Sequence, residues 1–294
     1  MNRIVNRAVR HGWDVLAKVA GRSYIAGPKL DDALYTCKQL SGLGYSCSIG
    51  FWNSLGESPH VVASAYRSAL QLLAKEQLDG YISVKLPPLN FDRELLQGIL
   101  EQARGESTLV HFDSLEPELT DQTFSMISEA ASFYPKLGCT LPGRWRRSEK
   151  DAVLAAKLGL HVRVVKGQWA DPEEPNLDLR VGFLNVIEKL AGRARSVAVA
   201  SHDPELVDGA VRRLRAAGTP CSVELLYGLP VKPILELAQH LNVRVRVYVP
   251  YGYGWLPYSL TQARRNPRIL WWLLRDSLSG GSAFELQKRK DKSA

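Results

Sequence analysis

A set of side chains that reaction chemistry commonly uses stands at or just after the ends of short apolar runs: Lys85, Asp113, Arg163, Lys166, Ser201, His202, Glu224 and Tyr248. Lysine and arginine hold phosphate or carboxylate groups, a carboxylate or phenol holds a proton at a chosen atom, and imidazole can do either. Taken singly, each of these residues reads as an ordinary rim ion pair. Their recurrence at the same end of successive runs points to one pocket for a large anionic ligand or cofactor. No metal is expected, because Cys37, Cys47, Cys139 and Cys221 show neither CxxC nor histidine-paired spacing. They read as reduced, mostly buried thiols of a cytoplasmic protein.

The runs themselves are short and rich in β-branched or apolar residues, at 46–51, 82–86, 109–113, 139–141, 161–166, 196–201, 222–226 and 243–249. An amphipathic helical pattern follows each. Helix starts are marked at Thr120-Asp121-Gln122, at Ser148-Glu149-Lys150-Asp151 and at Asp203-Pro204-Glu205, the last with proline at a first helical position. Regular strand–helix alternation without a Gly-, Ser- or Pro-rich linker predicts a parallel sheet covered by helices. Eight units and the absence of a GxGxxG loop after the first strand favour a closed (β/α)8 barrel over an open sheet. The expected organisation is one α/β domain: an N-terminal helical segment over 1–45, with helices near 2–20 and 30–43 packed outside; the barrel over 46–278; and a polar tail over 279–294. The fourth strand is the weakest, since Pro142 and Gly143 follow at once. In such barrels the chemistry lies at the C-terminal strand ends.

The composition is that of a globular protein, with 45% hydrophobic and 23% charged residues. No apolar run reaches the roughly 18 residues of a membrane span, and the basic start, carrying Asp14, lacks the apolar stretch of a secretory signal. The net charge of +8 is spread over the helices apart from the run Lys288–Lys292, so nucleic acid is not an expected partner.

At the level of motifs the sequence resembles the proline dehydrogenase family of FAD-dependent, monofunctional type. The segment Val162-Arg163-Val164-Val165-Lys166-Gly167 is similar to the family's fifth-strand signature, Ile82-Ser83-Val84-Lys85-Leu86 to the second, and Phe112-Asp113 with Thr120-Asp121-Gln122-Thr123 to the third. Ala200-Ser201-His202-Asp203 resembles the sixth, Leu226-Tyr227-Gly228 the seventh, and Arg246 through Gly252 the eighth; Trp255, Pro257 and Tyr258 continue the match. Near the start, Tyr24-Ile25-Ala26-Gly27 and Leu55-Gly56-Glu57 also fit. The resemblance implies a flavoenzyme that holds FAD across the barrel mouth and oxidises a C–N bond of a small amine or amino-acid-derived substrate. It implies cofactor binding by Arg163, Lys166, Gly167, Ser201 and His202, and a substrate side built from Lys85, Asp113, Tyr248 and Tyr258. It also implies an electron acceptor of quinone or carrier-protein kind, and a cytoplasmic protein with at most peripheral contact with the inner face of a membrane. Trp271-Trp272 offers such a contact, although a pair of this kind more often packs on an amphipathic helix.

The pattern breaks where the family carries two adjacent arginines that grip the substrate carboxylate: this chain has Thr261 and Gln262. Losing two charge-assisted contacts costs ~3–6 kcal/mol. Either Arg264 and Arg265, about one helical turn further on, take over the clamp, or the substrate carries no free carboxylate there. Further departures are Gln168-Trp169 for an Ala-Tyr pair, Pro142 for a glutamine, Arg144 for an apolar residue and Glu224 for a glutamine. An inward Glu224 is expected to disfavour a reduced, anionic flavin.

Overall fold

The computed structural model describes residues 25–254. Strands β1 (Ser46–Trp52), β2 (Gly80–Val84), β3 (Val110–Phe112), β4 (Leu137–Pro142), β5 (His161–Val165), β6 (Ser196–Ala200), β7 (Cys221–Leu226) and β8 (Val245–Gly252) are joined in sequence order into a closed barrel. Every neighbouring pair is parallel, and β8 closes on β1 with Ser46 opposite Arg246 and Trp52 opposite Gly252. Helix α1 (Leu30–Ser41) precedes β1; α2 (Pro59–Lys75), α3 (Arg93–Gly105), α4 (Thr120–Ala131), α5 (Ser148–Lys157), α6 (Leu179–Leu190), α7 (Pro204–Ala216) and α8 (Lys232–His240) connect successive strands. The barrel expected from the alternation is therefore present. The second strand lies two residues earlier than expected, which puts Lys85 just beyond its end. The expected helix at 2–20 and the segments after Gly254 lie outside the described residues.

Alternation along the strands explains the architecture. In β5, Val162 and Val164 are fully buried beneath the helices, whereas Arg163 turns inward. Inward placement follows from contacts between strands that are not neighbours: Ser48 of β1 reaches Glu224 of β7, and Arg163 of β5 reaches Ser83 of β2. Barrel interiors are usually filled by Val, Ile and Leu, but this one is filled by hydroxyls, imidazoles and ion pairs. Helix α1 packs outside on β8 and β1. Helix starts follow local chemistry. Asp203 caps α7, its side chain accepting from the Leu206 N–H, with Pro204 in the first turn. Ser148 is not a cap: it is the first residue of α5, and its hydroxyl donates to the Pro142 carbonyl at 2.6 Å, tying that helix to the end of β4.

Deeper in the barrel His111 and His161 stand edge to face, 6.0 Å apart, with Tyr81 stacked on His111 at 5.6 Å. His111 Nε2 meets Thr140 Oγ1 at 2.9 Å, and His161 Nδ1 meets Ser196 Oγ at 2.7 Å. Burial, reinforced by Arg163, holds His111 well below the usual imidazole range, and burial takes His161 down to about 4. The unfolded chain takes up these protons near 6.5 while the folded chain refuses them, so this stability is fully present above 6.5 and is lost as pH falls toward 4. The urea midpoint is expected to drop between pH 6.5 and about pH 5, before most carboxylates titrate. A midpoint that is flat over this window would show the pair to be protonated in the fold.

Candidate active site at the barrel mouth

Arg163 organises the floor of the mouth. Only 5% exposed, its guanidinium donates from Nη1 to Asp113 Oδ1 at 2.8 Å and from Nη2 to Ser83 Oγ at 3.0 Å and the Tyr81 hydroxyl at 3.2 Å. Nη2 also pairs with Glu224 Oε1 at 2.8 Å. Glu224 is further held by the Ser48 hydroxyl at 2.6 Å and the Tyr81 hydroxyl at 2.7 Å. Burial alone would raise this carboxyl, but Arg163 and the two hydroxyl donors outweigh it and hold it below its ordinary range. Glu224 thus points inward but does not leave a bare negative charge, because Arg163 neutralises it. That removes the ground for expecting it to oppose a reduced flavin.

Lys85, Asp113 and Tyr248 meet on the opposite side of the floor. Asp113 Oδ2 accepts from the Tyr248 hydroxyl at 3.2 Å and lies 3.5 Å from Lys85 Nζ, which donates to the Phe51 carbonyl at 3.1 Å. Burial pulls the Lys85 ammonium down, and Asp113 opposes it. Burial, then Asp113, pushes the Tyr248 phenol well up, so it is a neutral donor. Its ring lies under the Arg163 guanidinium at 5.2 Å, and the Trp52 indole N–H donates to its oxygen at 3.3 Å.

The residues expected at the cofactor lie at the far rim or behind it. Lys166 Nζ pairs with Asp203 Oδ2 at 3.1 Å, and Arg180 reaches the same oxygen at 2.9 Å. Gly167 has φ +93°, and a Cβ there would press on Pro142 and Arg144; this glycine lets β5 turn over the end of β4. Ser201 Oγ accepts from the Asp203 N–H. His202 is spent internally: Nε2 accepts from the Leu226 N–H at 3.0 Å and Nδ1 faces the Pro230 carbonyl at 3.1 Å, which fixes a neutral Nδ1–H tautomer. It therefore acts as a wall that joins the β6 and β7 loops. The mouth is a cavity of about 580 Å³, lined by Lys85, Asp113, Arg163, His202, Glu224 and Tyr248 and walled by Trp52, Trp145 and Trp169. A second cavity, of about 560 Å³, opens at the other end of the barrel around Asp79, His161 and Arg246, away from this cluster.

The structure brings together Lys85, Asp113, Arg163, Tyr248 and His202 at the mouth and places Lys166 and Gly167 on its rim, whereas Ser201 is buried behind it. Tyr258, Arg264 and Arg265 lie outside the described residues, though Gly254, near the end of the described chain, lines the mouth. Ser48, Tyr81 and Ser83, which the sequence did not single out, are the partners of the floor ions. Their signal was period-two placement of polar residues in buried strands.

No family model matches the chain. Proline dehydrogenase 1 of Bacillus subtilis subsp. natto is 27% identical over 268 residues, spanning 85% of this chain and 88% of that protein. Proline dehydrogenase of Deinococcus radiodurans is 20% identical, over 87% and 89% respectively. Among solved structures, proline utilization A from Bdellovibrio bacteriovorus, inactivated by N-propargylglycine, matches with a TM-score of 0.74 at 15% identity, covering 91% of this chain. The chain spans about a third of that larger protein, and the likeness speaks to the fold. No helix among the described residues is long and apolar enough to cross a membrane.

Proposed function

Taking this chain as a divergent member of the proline dehydrogenase family, we propose that it is a FAD-dependent dehydrogenase that oxidises a CH–NH group of a small amine or amino-acid-derived substrate other than free proline. The observation that carries this reading is the convergence of Lys85, Asp113, Arg163 and Tyr248, from within or just after four different strands, on the floor of one aromatic-walled cavity.

The donor set fits the cofactor. Arg163 lines the cavity, and its Nε is buried without a hydrogen-bond partner, an orphaned N–H that a small shift of the guanidinium would turn toward a ring nitrogen or carbonyl. The rim offers two cations, Lys166 and Arg180, that both pair with Asp203 Oδ2 beside the start of α7, Arg180 also with Glu205 at 2.7 Å; with the N-terminal end of that helix they form an arrangement suited to a diphosphate. Pro142 offers no side-chain donor where the family has a glutamine, so the floor arginine carries more of the ring contact. FAD held there would supply the acceptor for a hydride from the carbon next to nitrogen. Asp113 and Tyr248 orient the amine, Lys85 faces the same pole, and the aromatic walls exclude water. The electron acceptor, of quinone or carrier-protein kind, belongs to the same proposal.

A second reading is ordinary proline oxidation, with Arg264 and Arg265 gripping the carboxylate. Its support is the position of Gly254 on the mouth wall, since ten further residues reach at most ~36 Å. The two readings separate in a dye-linked assay of FAD-loaded protein with L-proline and with carboxylate-free secondary amines. Under the first, an amine is oxidised faster than L-proline, and Arg264→Ala with Arg265→Ala leaves its kcat and KM unchanged. Under the second, L-proline is the better substrate and the double variant loses at least about two orders of magnitude in kcat/KM.

A further inference from the structure

The charged groups among the described residues lining the mouth are Lys85, Asp113, Arg163 and Glu224. Two positive and two negative groups leave no net charge. Both cations are already engaged. Arg163 spends Nη1 on Asp113 and Nη2 on Glu224, Ser83 and Tyr81. Lys85 is held by the Phe51 carbonyl and faces Asp113. Glu224 is 2% exposed and receives its three donors from β1, β2 and β5, an arrangement built for an ionised carboxylate. His202, the other titratable side chain of basic type on the wall, is committed to Leu226 and Pro230 as a neutral ring.

A carboxylate entering this cavity must shed water, and a floor without net positive charge returns too little attraction to offset that loss. An uncharged polar group meets no such penalty. We propose that Glu224 is a specificity-determining residue that sets the charge of the mouth to zero and so selects a substrate whose pole facing the floor carries no free carboxylate, an amine or an amide of an amino acid. This rests on the flavin-dependent reading above. Glu224 acts through Arg163 rather than by contact with the reacting carbon. Removing its charge while keeping its shape would leave the cavity with a net charge of one cation and make it welcome an acid.

The test uses two probes that flavin cannot oxidise, cyclopentanecarboxylate and cyclopentanecarboxamide, titrated into the FAD-loaded full chain while the flavin absorbance band is followed. The native protein is expected to bind the amide at least about tenfold more tightly than the acid, and Glu224→Gln to bind the acid about tenfold, or 1.4 kcal/mol, more tightly than the native protein does, with the amide little changed. Lys85→Met, which removes a cation from the same cavity, is expected to widen the native preference for the amide. Acid binding as tight as or tighter than amide binding in the native protein overturns the proposal, whatever the fate of either variant. So does an unchanged ratio in folded Glu224→Gln. A native protein that takes up no FAD overturns the flavin reading itself and the proposal with it, whereas FAD uptake with a preference for the acid overturns the proposal alone.

Discussion

Replacing Arg163 with methionine is expected to lower the stability of the folded chain by about 3–5 kcal/mol, because it strands the buried Glu224 carboxylate without its cation and leaves half-buried Asp113 with Lys85 alone as a counter-charge. For a domain of this size that corresponds to a fall in melting temperature of roughly 6–20 °C. Asp113 and Glu224 both face the guanidinium at 2.8 Å, and Glu224, only 2% exposed, recovers little hydration. Without Arg163, burial pushes the Glu224 carboxyl above its ordinary 4.5. A group raised in the fold contributes stability below its unfolded value and loses it as pH rises, so the variant's deficit narrows on acidification. Adding Glu224→Gln to Arg163→Met is expected to restore part of the loss, with a coupling of at least about 1 kcal/mol in a double-mutant cycle. Urea denaturation of the four proteins measures this. A single-variant loss under about 1 kcal/mol would mean that Arg163 is not the hub of the floor.

The second large effect falls on activity. Gly50 of β1 lies beside Tyr248 of β8, and a Cβ built on it runs into the Tyr248 hydroxyl oxygen. Gly50→Ala therefore drives the phenol away from Asp113 and from under Arg163. The Cβ meets the Tyr248 oxygen and the adjoining ring carbons, so the ring must shift as a body and stability falls by about 1–3 kcal/mol. Misplacing an orienting group by about 1 Å costs on the order of 100-fold in rate, which is the loss expected in kcat/KM. Full activity in Gly50→Ala would show that the position of Tyr248 does not matter to the reaction.

Much of this was legible in the sequence because barrels repeat a simple physical pattern. The strand ends Lys85, Asp113, Arg163 and Tyr248 were identifiable as polar residues where buried apolar runs stop, and closure of the barrel brings them within hydrogen-bond reach of one another. Boundaries were less legible. In β2, Gly80 and Tyr81 belong to the strand although neither is β-branched, because pairing with β1 decides the matter. Partnership was least legible of all. That Glu224 would sit against Arg163 depends on two strands that are not neighbours, and no local pattern in either one specifies it. For the same reason His202 read as a ligand donor, whereas the structure commits both its nitrogens to Leu226 and Pro230.

A mouth that holds FAD and passes it a hydride from a carbon next to nitrogen must show both in the flavin spectrum. The most direct measurement is the visible absorbance spectrum of the purified full chain after incubation with FAD and removal of excess, followed in the same anaerobic cuvette by addition of secondary amines and then of L-proline. The expected result is a retained flavin band that bleaches with a carboxylate-free amine and responds weakly or not at all to L-proline. A chain that retains no flavin, or a retained band that no amine or amino acid bleaches, would contradict it and leave the barrel as a scaffold without redox chemistry.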